Sequence, residues 1–210
     1  MALEMRYQAV PEHWKWIPQP EATADTSSMF AFLAADPQPV QPTSAWPPRF
    51  ETQPTITPAG ADFGAELLSL MRANAGLAQR NCFIGHYWDI LHYLMAARRR
   101  SGDAGRGVDW ASRAIVGGDE LLGIKFNSTA VFFLPHTELQ TTCYHLNQVK
   151  PEMLAEHYDV QAMIRLGVYS SISLLGKEKI FAELWHTFDR LRTFYLDVAA
   201  HEEGVIAYMS

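Results

Sequence analysis

The chain has 210 residues, of which 48% are hydrophobic and 19% charged, and its formal net charge is −6. This length suits one hydrophobic core with at most a small appendage, and the composition excludes an intrinsically disordered chain. The acidic balance argues against nucleic acid as the main partner, because phosphate binding needs a clustered basic face.

Cysteine usage and the N-terminus indicate the compartment. The two cysteines, Cys82 and Cys143, lack CxxC spacing, which is typical of reduced, buried thiols. The N-terminus carries Glu4 and Arg6 and lacks the apolar run of a secretory signal. No stretch reaches the roughly 18 apolar residues that span a bilayer. We therefore expect a cytoplasmic protein without membrane contact.

A proline-rich insertion occupies residues 18–62, where nine of the twelve prolines lie. Proline removes amide donors and fixes φ, which excludes long helices and central strands. The segment also holds aromatic residues such as Trp46 and Phe50, and Trp14 and Trp16 precede it. We expect an irregular arm that these rings pin across the domain, although such an arm could also contact a partner.

Regular structure is predicted from Asp62 onward. Leu67, Leu68, Met71 and Ala75 have helical spacing, and Gly76 is expected to end that helix. Further helices are expected over residues 86–100, 136–148, 151–157, from 160 behind an Asp159 cap, and 177–201, the last ended by Gly204.

Four short apolar runs predict strands over residues 5–10, 114–116, 130–134 and 205–209. Their alternation with helices favours an α/β fold in which the two terminal strands pair with the central two. The predicted architecture is a single domain over residues 1–210, a small sheet flanked by helices in three layers, with residues 18–62 as an inserted arm.

Several segments, in order, resemble the YfbM-like family of bacterial proteins. Tyr87, Trp88, Asp89 and His92 lie in a run similar to that family's Trp-Asp-x-Leu-His-x-Leu helix. The other matching segments are residues 114–120 with their Gly-Gly-Asp-Glu turn, 134–135, 158–163, 188–195 and 204–210. The resemblance covers about residues 82–210, with a weaker match at 6–14, and the proline-rich arm departs from it. It implies a three-layer α/β fold and no defined activity.

The polar groups with the clearest chemical pattern lie on the helix predicted over residues 86–100. Asp89 and His92 are three residues apart and share a face, so a carboxylate could orient an imidazole there. A metal site would need a third ligand, such as His136 or Glu138, and the spacing is not that of a metal motif. We therefore expect no metal and no cofactor, and a structural role for Asp89 and His92 is favoured.

The glycine turn after residue 116 is the second candidate feature. Gly117 and Gly118 could direct backbone amides toward an anion, but Asp119 and Glu120 would repel phosphate, so a plain tight turn is favoured. The candidate pocket residues are Trp88, Asp89, His92, Gly117, Gly118, Asp119 and Glu120.

Three functional hypotheses follow. The first is a protein-binding module, because the chain is acidic, carries an aromatic-rich arm and lacks catalytic motifs. Members of the resembled family can occur near bacterial toxin genes, which suggests toxin immunity as one form of this hypothesis. The second is a small-molecule-binding protein or enzyme that uses the candidate pocket. The third is a homo-oligomer whose arms exchange between copies.

Overall fold

The computed structural model describes residues 4–14, 17, 62–100, 110–168 and 177–209. In these residues, five strands form one antiparallel sheet with eight helices around it. The strands are β1 (Met5–Pro11), β2 (Asn81–Gly85), β3 (Asp119–Phe126), β4 (Thr129–Leu134) and β5 (Glu203–Met209). The helices are α1 (Phe63–Ala73), α2 (Ala75–Gln79), α3 (Trp88–Arg100), α4 (Trp110–Val116), α5 (His136–Asn147), α6 (Pro151–Glu156), α7 (Val160–Arg165) and α8 (Lys177–Ala200). The predicted arm lies outside the described residues, apart from Asp62.

The strand order in the sheet is β2-β1-β5-β4-β3. The terminal strands β1 and β5 are neighbours over their whole length, from Met5 opposite Met209 to Pro11 opposite Glu203. The expected pairing of both terminal strands with central strands is therefore wrong for β1, whose other neighbour is β2. Alternating apolar residues define the buried faces of a strand but carry no information on which strand lies beside it.

Side chains alternate between the two faces of the sheet, and helices α2 to α8 cover one face while α1 packs on the other. Tyr7 and Ala9 of β1 face the larger core, to which helices α2 through α8 all contribute. Val10 of the same strand faces a smaller core, where Phe63 and Leu67 of α1 pack. The ring of Trp14 lies 5.4 Å from that of Phe63 and extends this smaller core. The predicted three-layer α/β architecture is confirmed.

One predicted strand is wrong. Residues 114–116 form the last turn of helix α4, and Gly117 and Gly118 end that helix. The amides of both glycines donate to the Arg113 carbonyl at 2.8 and 3.1 Å, and both have a positive φ, which is common for glycines that follow a helix. A three-residue apolar run is compatible with a buried strand and with a buried helical turn, so the pattern did not discriminate between them.

The helices predicted from residue 62 onward are confirmed, with local differences at their ends. Asp159 caps α7 by accepting from the Ala162 amide at 3.0 Å, and Pro151 begins α6. Helix α1 ends before Gly76, because Asn74 caps the next helix, α2. Helix α8 ends at Ala200, and Gly204 lies inside β5 rather than at the helix end. Of the helices in the described ranges, none combines the length and apolar character needed to cross a membrane.

Candidate functional site

The predicted α3 residues lie in the first two turns of that helix. Asp89 is 6% exposed and occupies the first turn, where a carboxylate is favoured by the helix dipole. Trp88 is half-buried against the larger core, and His92 is also half-buried. These positions suit packing and helix stabilisation, and they leave only part of each ring accessible.

The Gly117–Gly118 turn is packed directly against the sheet. A Cβ atom on Gly117 would lie 2.1 Å from the Cβ of Ala207, and one on Gly118 would lie 2.1 Å from the Phe133 carbonyl oxygen. Since both amides already donate to the Arg113 carbonyl, they are not directed at a ligand. The turn is a close-packing feature of α4 on strands β4 and β5.

Asp119 and Glu120 begin strand β3, and Asp119 is bound by Arg113 of α4. The Arg113 Nη1 atom lies 2.7 Å from Asp119 Oδ1, and its Nη2 atom lies 2.9 Å from Glu138 Oε2. The same guanidinium lies over the Trp110 ring, 5.6 Å from its centroid. Arg113 therefore joins α4 to β3 and α5 at the glycine turn, which is a structural use of the Asp119 carboxylate.

His136 and Glu138, the candidate additional metal ligands, both lie in the first turn of α5. The His136 amide donates to Glu12 Oε2 at 2.9 Å, which caps this helix from the N-terminal segment. Among the described residues, no group of three or more His, Cys, Asp or Glu side chains is arranged to hold a metal ion.

A groove that the sequence did not predict lies on the α1 side of the sheet. It has a volume of about 360 Å³ and runs between α1 and the outer faces of β1 and β2. Leu68 and Phe83, which line it, remain 47% and 38% exposed. We call it the α1–β2 groove; its lining residues are Arg6, Tyr7, Gln8, Leu68, Met71, Arg72, Ala78, Asn81, Cys82, Phe83 and Tyr208.

Two arginines line the α1–β2 groove, and one of them, Arg6, also lies 4.0 Å from the Glu4 carboxylate. The guanidinium of Arg6 lies over the Phe83 ring, 4.5 Å from its centroid, and Arg72 is exposed on α1. Burial raises the pKa of Tyr208, and the charge of Arg6 partly opposes this shift. Burial also raises the pKa of Cys82 to about 11, so this thiol is protonated and unreactive at neutral pH. The groove is suited to binding rather than to nucleophilic chemistry.

Leu68 carried the signal by which the groove could have been found. Its spacing placed it in the apolar stripe of α1 beside Leu67, yet only Leu67 is buried. Two adjacent leucines face directions about 100° apart on a helix, so a single sheet face cannot bury both. The second leucine marks an apolar surface beyond the core contact.

Comparison with known proteins gives a family and a fold. The family model described as a domain of unknown function, DUF1877, matches residues 65–208. The fold is similar to that of the crystal structure of YfbM from Escherichia coli, a protein of unknown function, with a TM-score of 0.53 and 12% sequence identity over 99% of each chain. No curated protein matches the chain. The likeness to YfbM, at this identity, concerns the fold alone.

Proposed function

We propose that this chain, which belongs to the YfbM-like DUF1877 family of unknown function, is a protein-binding module. Its partner binds in the α1–β2 groove. The exposure of Leu68 and Phe83 on the two walls of one cavity carries this proposal. Paired apolar anchors around a recess are the arrangement that partner side chains fill in stable interfaces. Covering the exposed part of each side chain contributes about 1 kcal/mol, roughly half of the value for complete burial.

The charge of the groove selects the kind of partner. Arg6 and Arg72 place two positive charges in the groove of a chain whose net charge is −6, and Glu4 offsets part of the charge of Arg6. Charge complementarity speeds association and discriminates among partners more than it adds affinity. The groove therefore favours a partner segment that combines carboxylates with apolar anchors.

Toxin immunity is the narrower form of this hypothesis. The overall negative charge favours it, because an acidic surface can complement the basic active site of a nuclease. The arginines of the α1–β2 groove favour an acidic partner instead. An immunity role would thus require a second surface, whereas binding of an acidic segment does not.

A small-molecule ligand in the same groove is the second candidate. The volume of about 360 Å³ falls within the range of about 300–1,000 Å³ that is common for ligand pockets. The arginines would then bind a carboxylate, and Leu68, Met71 and Phe83 would cover an apolar body. A pocket beside Trp88, Asp89 and His92 has less support, because the Gly117–Gly118 turn packs closely against the sheet.

Site-specific photo-crosslinking tests the protein-binding proposal. A benzophenone amino acid replaces Phe83 in the groove and, as a control, Tyr144 on α5, which is 63% exposed. We expect a discrete adduct with another protein from position 83 in the source cells, lost when Arg72→Glu is added, and no such adduct from position 144. Absence of an adduct at position 83, or an adduct with the mass of two copies of this chain, would contradict the proposal. Thermal-shift screening with apolar carboxylates tests the second candidate.

A further inference from the structure

Among the strands in the described part of the chain, β2 lies at one edge of the sheet, with β1 as its neighbour. The Ala9 amide of β1 donates to the Arg80 carbonyl at 3.1 Å, and Tyr7 lies opposite Cys82 in the same register. In an antiparallel pair, successive residues direct their main-chain groups alternately toward and away from the partner strand. The main-chain amide and carbonyl of Cys82 therefore face β1, and those of Asn81 and Phe83 face the edge.

An arginine side chain covers this edge at Phe83. The Arg190 Nη2 atom of α8 donates to the Phe83 carbonyl oxygen at 2.7 Å, and Arg190 is itself exposed. Charged side chains at sheet edges prevent unwanted strand pairing. A contact made by a long, exposed side chain can exchange for a main-chain donor without unfolding of the core.

Two arginines contact Phe83, and a third lines the same groove. Arg190 donates to the Phe83 carbonyl, Arg6 lies over the Phe83 ring, and Arg72 is one of the other lining residues. Asn81 and Phe83 line the groove with exposed side chains, whereas Cys82, which also borders it, and Ile84 are buried in the larger core. A strand placed beside β2 would thus direct alternate side chains along the groove, within reach of positive charge.

We propose that the partner segment is an extended acidic peptide that adds to β2 as a sixth strand of the described sheet and displaces Arg190 from the Phe83 carbonyl. This inference rests on the proposed protein-binding function and names its mode. Main-chain hydrogen bonds to Asn81 and Phe83 supply affinity, as in other cases of strand addition, and the groove supplies specificity through alternate side chains. Once it is released, Arg190 pairs with one carboxylate of the segment, and Arg6 pairs with another.

The probe is a fluorescein-labelled seven-residue peptide of alternating glutamate and valine, measured against the full chain by fluorescence anisotropy. Two controls accompany it: a peptide with lysine in place of glutamate, and the acidic peptide N-methylated along one edge. We expect each control to bind at least about tenfold more weakly, as the loss of one or two net hydrogen bonds or of charge pairing predicts. Amide exchange at Asn81 and Phe83 should slow by about tenfold on binding, and that at Cys82 should not change.

Two outcomes would overturn strand addition. One is the absence of binding by the acidic peptide. The other is binding that N-methylation leaves intact, with unchanged exchange at Asn81 and Phe83. In the second case the groove still binds a ligand, so the proposed function survives; that function fails separately if position 83 yields no crosslinked protein.

Discussion

The hydroxyl of Tyr7 donates a hydrogen bond of 2.5 Å to the carbonyl oxygen of Ile115, which joins strand β1 to the end of helix α4. Tyr195 of α8 makes the equivalent bond to the Ala114 carbonyl at 2.8 Å. The last carbonyls of a helix have no partner within the helix, and here they are buried. Two tyrosines from different layers therefore complete the C-terminus of α4, and the glycine turn follows directly.

Replacing Tyr7 with phenylalanine removes this hydrogen bond and retains the ring. The Ile115 carbonyl would remain buried without that donor, so we expect the free energy of unfolding to fall by about 1–3 kcal/mol. Tyr144→Phe, at an exposed site on α5, is the control and should change stability by less than about 0.5 kcal/mol. Urea denaturation with an unchanged m-value measures both. Equal effects of the two substitutions would contradict this role of Tyr7.

Stability should decline at alkaline pH because of the buried tyrosines and thiols. Burial raises the pKa values of Tyr7 and Tyr195 well above 10.0, and those of Cys82 and Cys143 from 9.0 to about 11. Above pH 9 the unfolded chain loses these protons first, so the folded chain binds more protons and its stability falls as pH rises.

The Tyr7→Phe variant removes one of these ionisable groups. Above pH 10 its free energy of unfolding should fall less steeply with pH than that of the wild type, by up to about 1.4 kcal/mol per pH unit. Urea titrations between pH 8 and pH 11 give the two slopes. Parallel slopes would show that Tyr7 ionises equally in both states.

The glycine turn should not tolerate a side chain. Gly118→Ala would bring a Cβ atom to 2.1 Å from the Phe133 carbonyl at a φ of +99°, so we expect a loss of at least about 3 kcal/mol. Gly167→Ala is the matched control: its φ is +71°, and nothing lies within 4 Å of the added atom. The free energy of unfolding of that variant should fall by only about 1–2 kcal/mol, which is the cost of a side chain on a left-handed backbone. A similar loss in both variants would mean that the turn is not closely packed.

The cysteines should be unreactive in the native protein. Cys82 and Cys143 are both buried free thiols with raised pKa values. At pH 8 we expect a chromogenic disulfide reagent to label them at least about a hundredfold more slowly in the native protein than in the protein unfolded in urea. In the native protein the thiols are protonated and the reagent cannot reach them. Rapid labelling of Cys82 in the native state would show that the α1–β2 groove opens further than the structure indicates.

The parts of the fold predicted from sequence are those with long or alternating patterns. The stripe of α8 from Ile180 to Val198 and the strand over residues 205–209 have enough positions to fix their type. Strand β2 was missed because only five residues form it, and its three consecutive apolar residues, Cys82 to Ile84, give no alternating pattern. Strand β3 was missed because its pairing with β4 is interrupted between Glu120 and Lys125, where Gly123 has a φ of +80°.

The candidate site was less accessible to sequence reasoning. Local patterns identified Asp89, His92 and the two glycines as unusual, and the structure explains the glycines by packing. The α1–β2 groove depends instead on contacts between residues distant in sequence, such as Arg6 with Phe83 and Phe83 with Arg190. Such contacts follow from strand order, and strand order is the feature that the apolar pattern does not specify.

The most direct test of the α1–β2 groove as the docking surface compares two exposed leucines. Leu68 on α1 is 47% exposed in the groove, and Leu196 on α8 is 41% exposed and is not one of the groove residues. Each is changed to glutamine, which preserves helix propensity, and the affinity for the protein crosslinked at position 83 is measured by calorimetry. We expect Leu68→Gln to raise Kd by at least about tenfold, since an anchor contributes 1.4 kcal/mol or more, and Leu196→Gln to leave Kd unchanged. Equal affinities of the Leu68→Gln variant and the wild type would contradict the docking surface proposed for this protein.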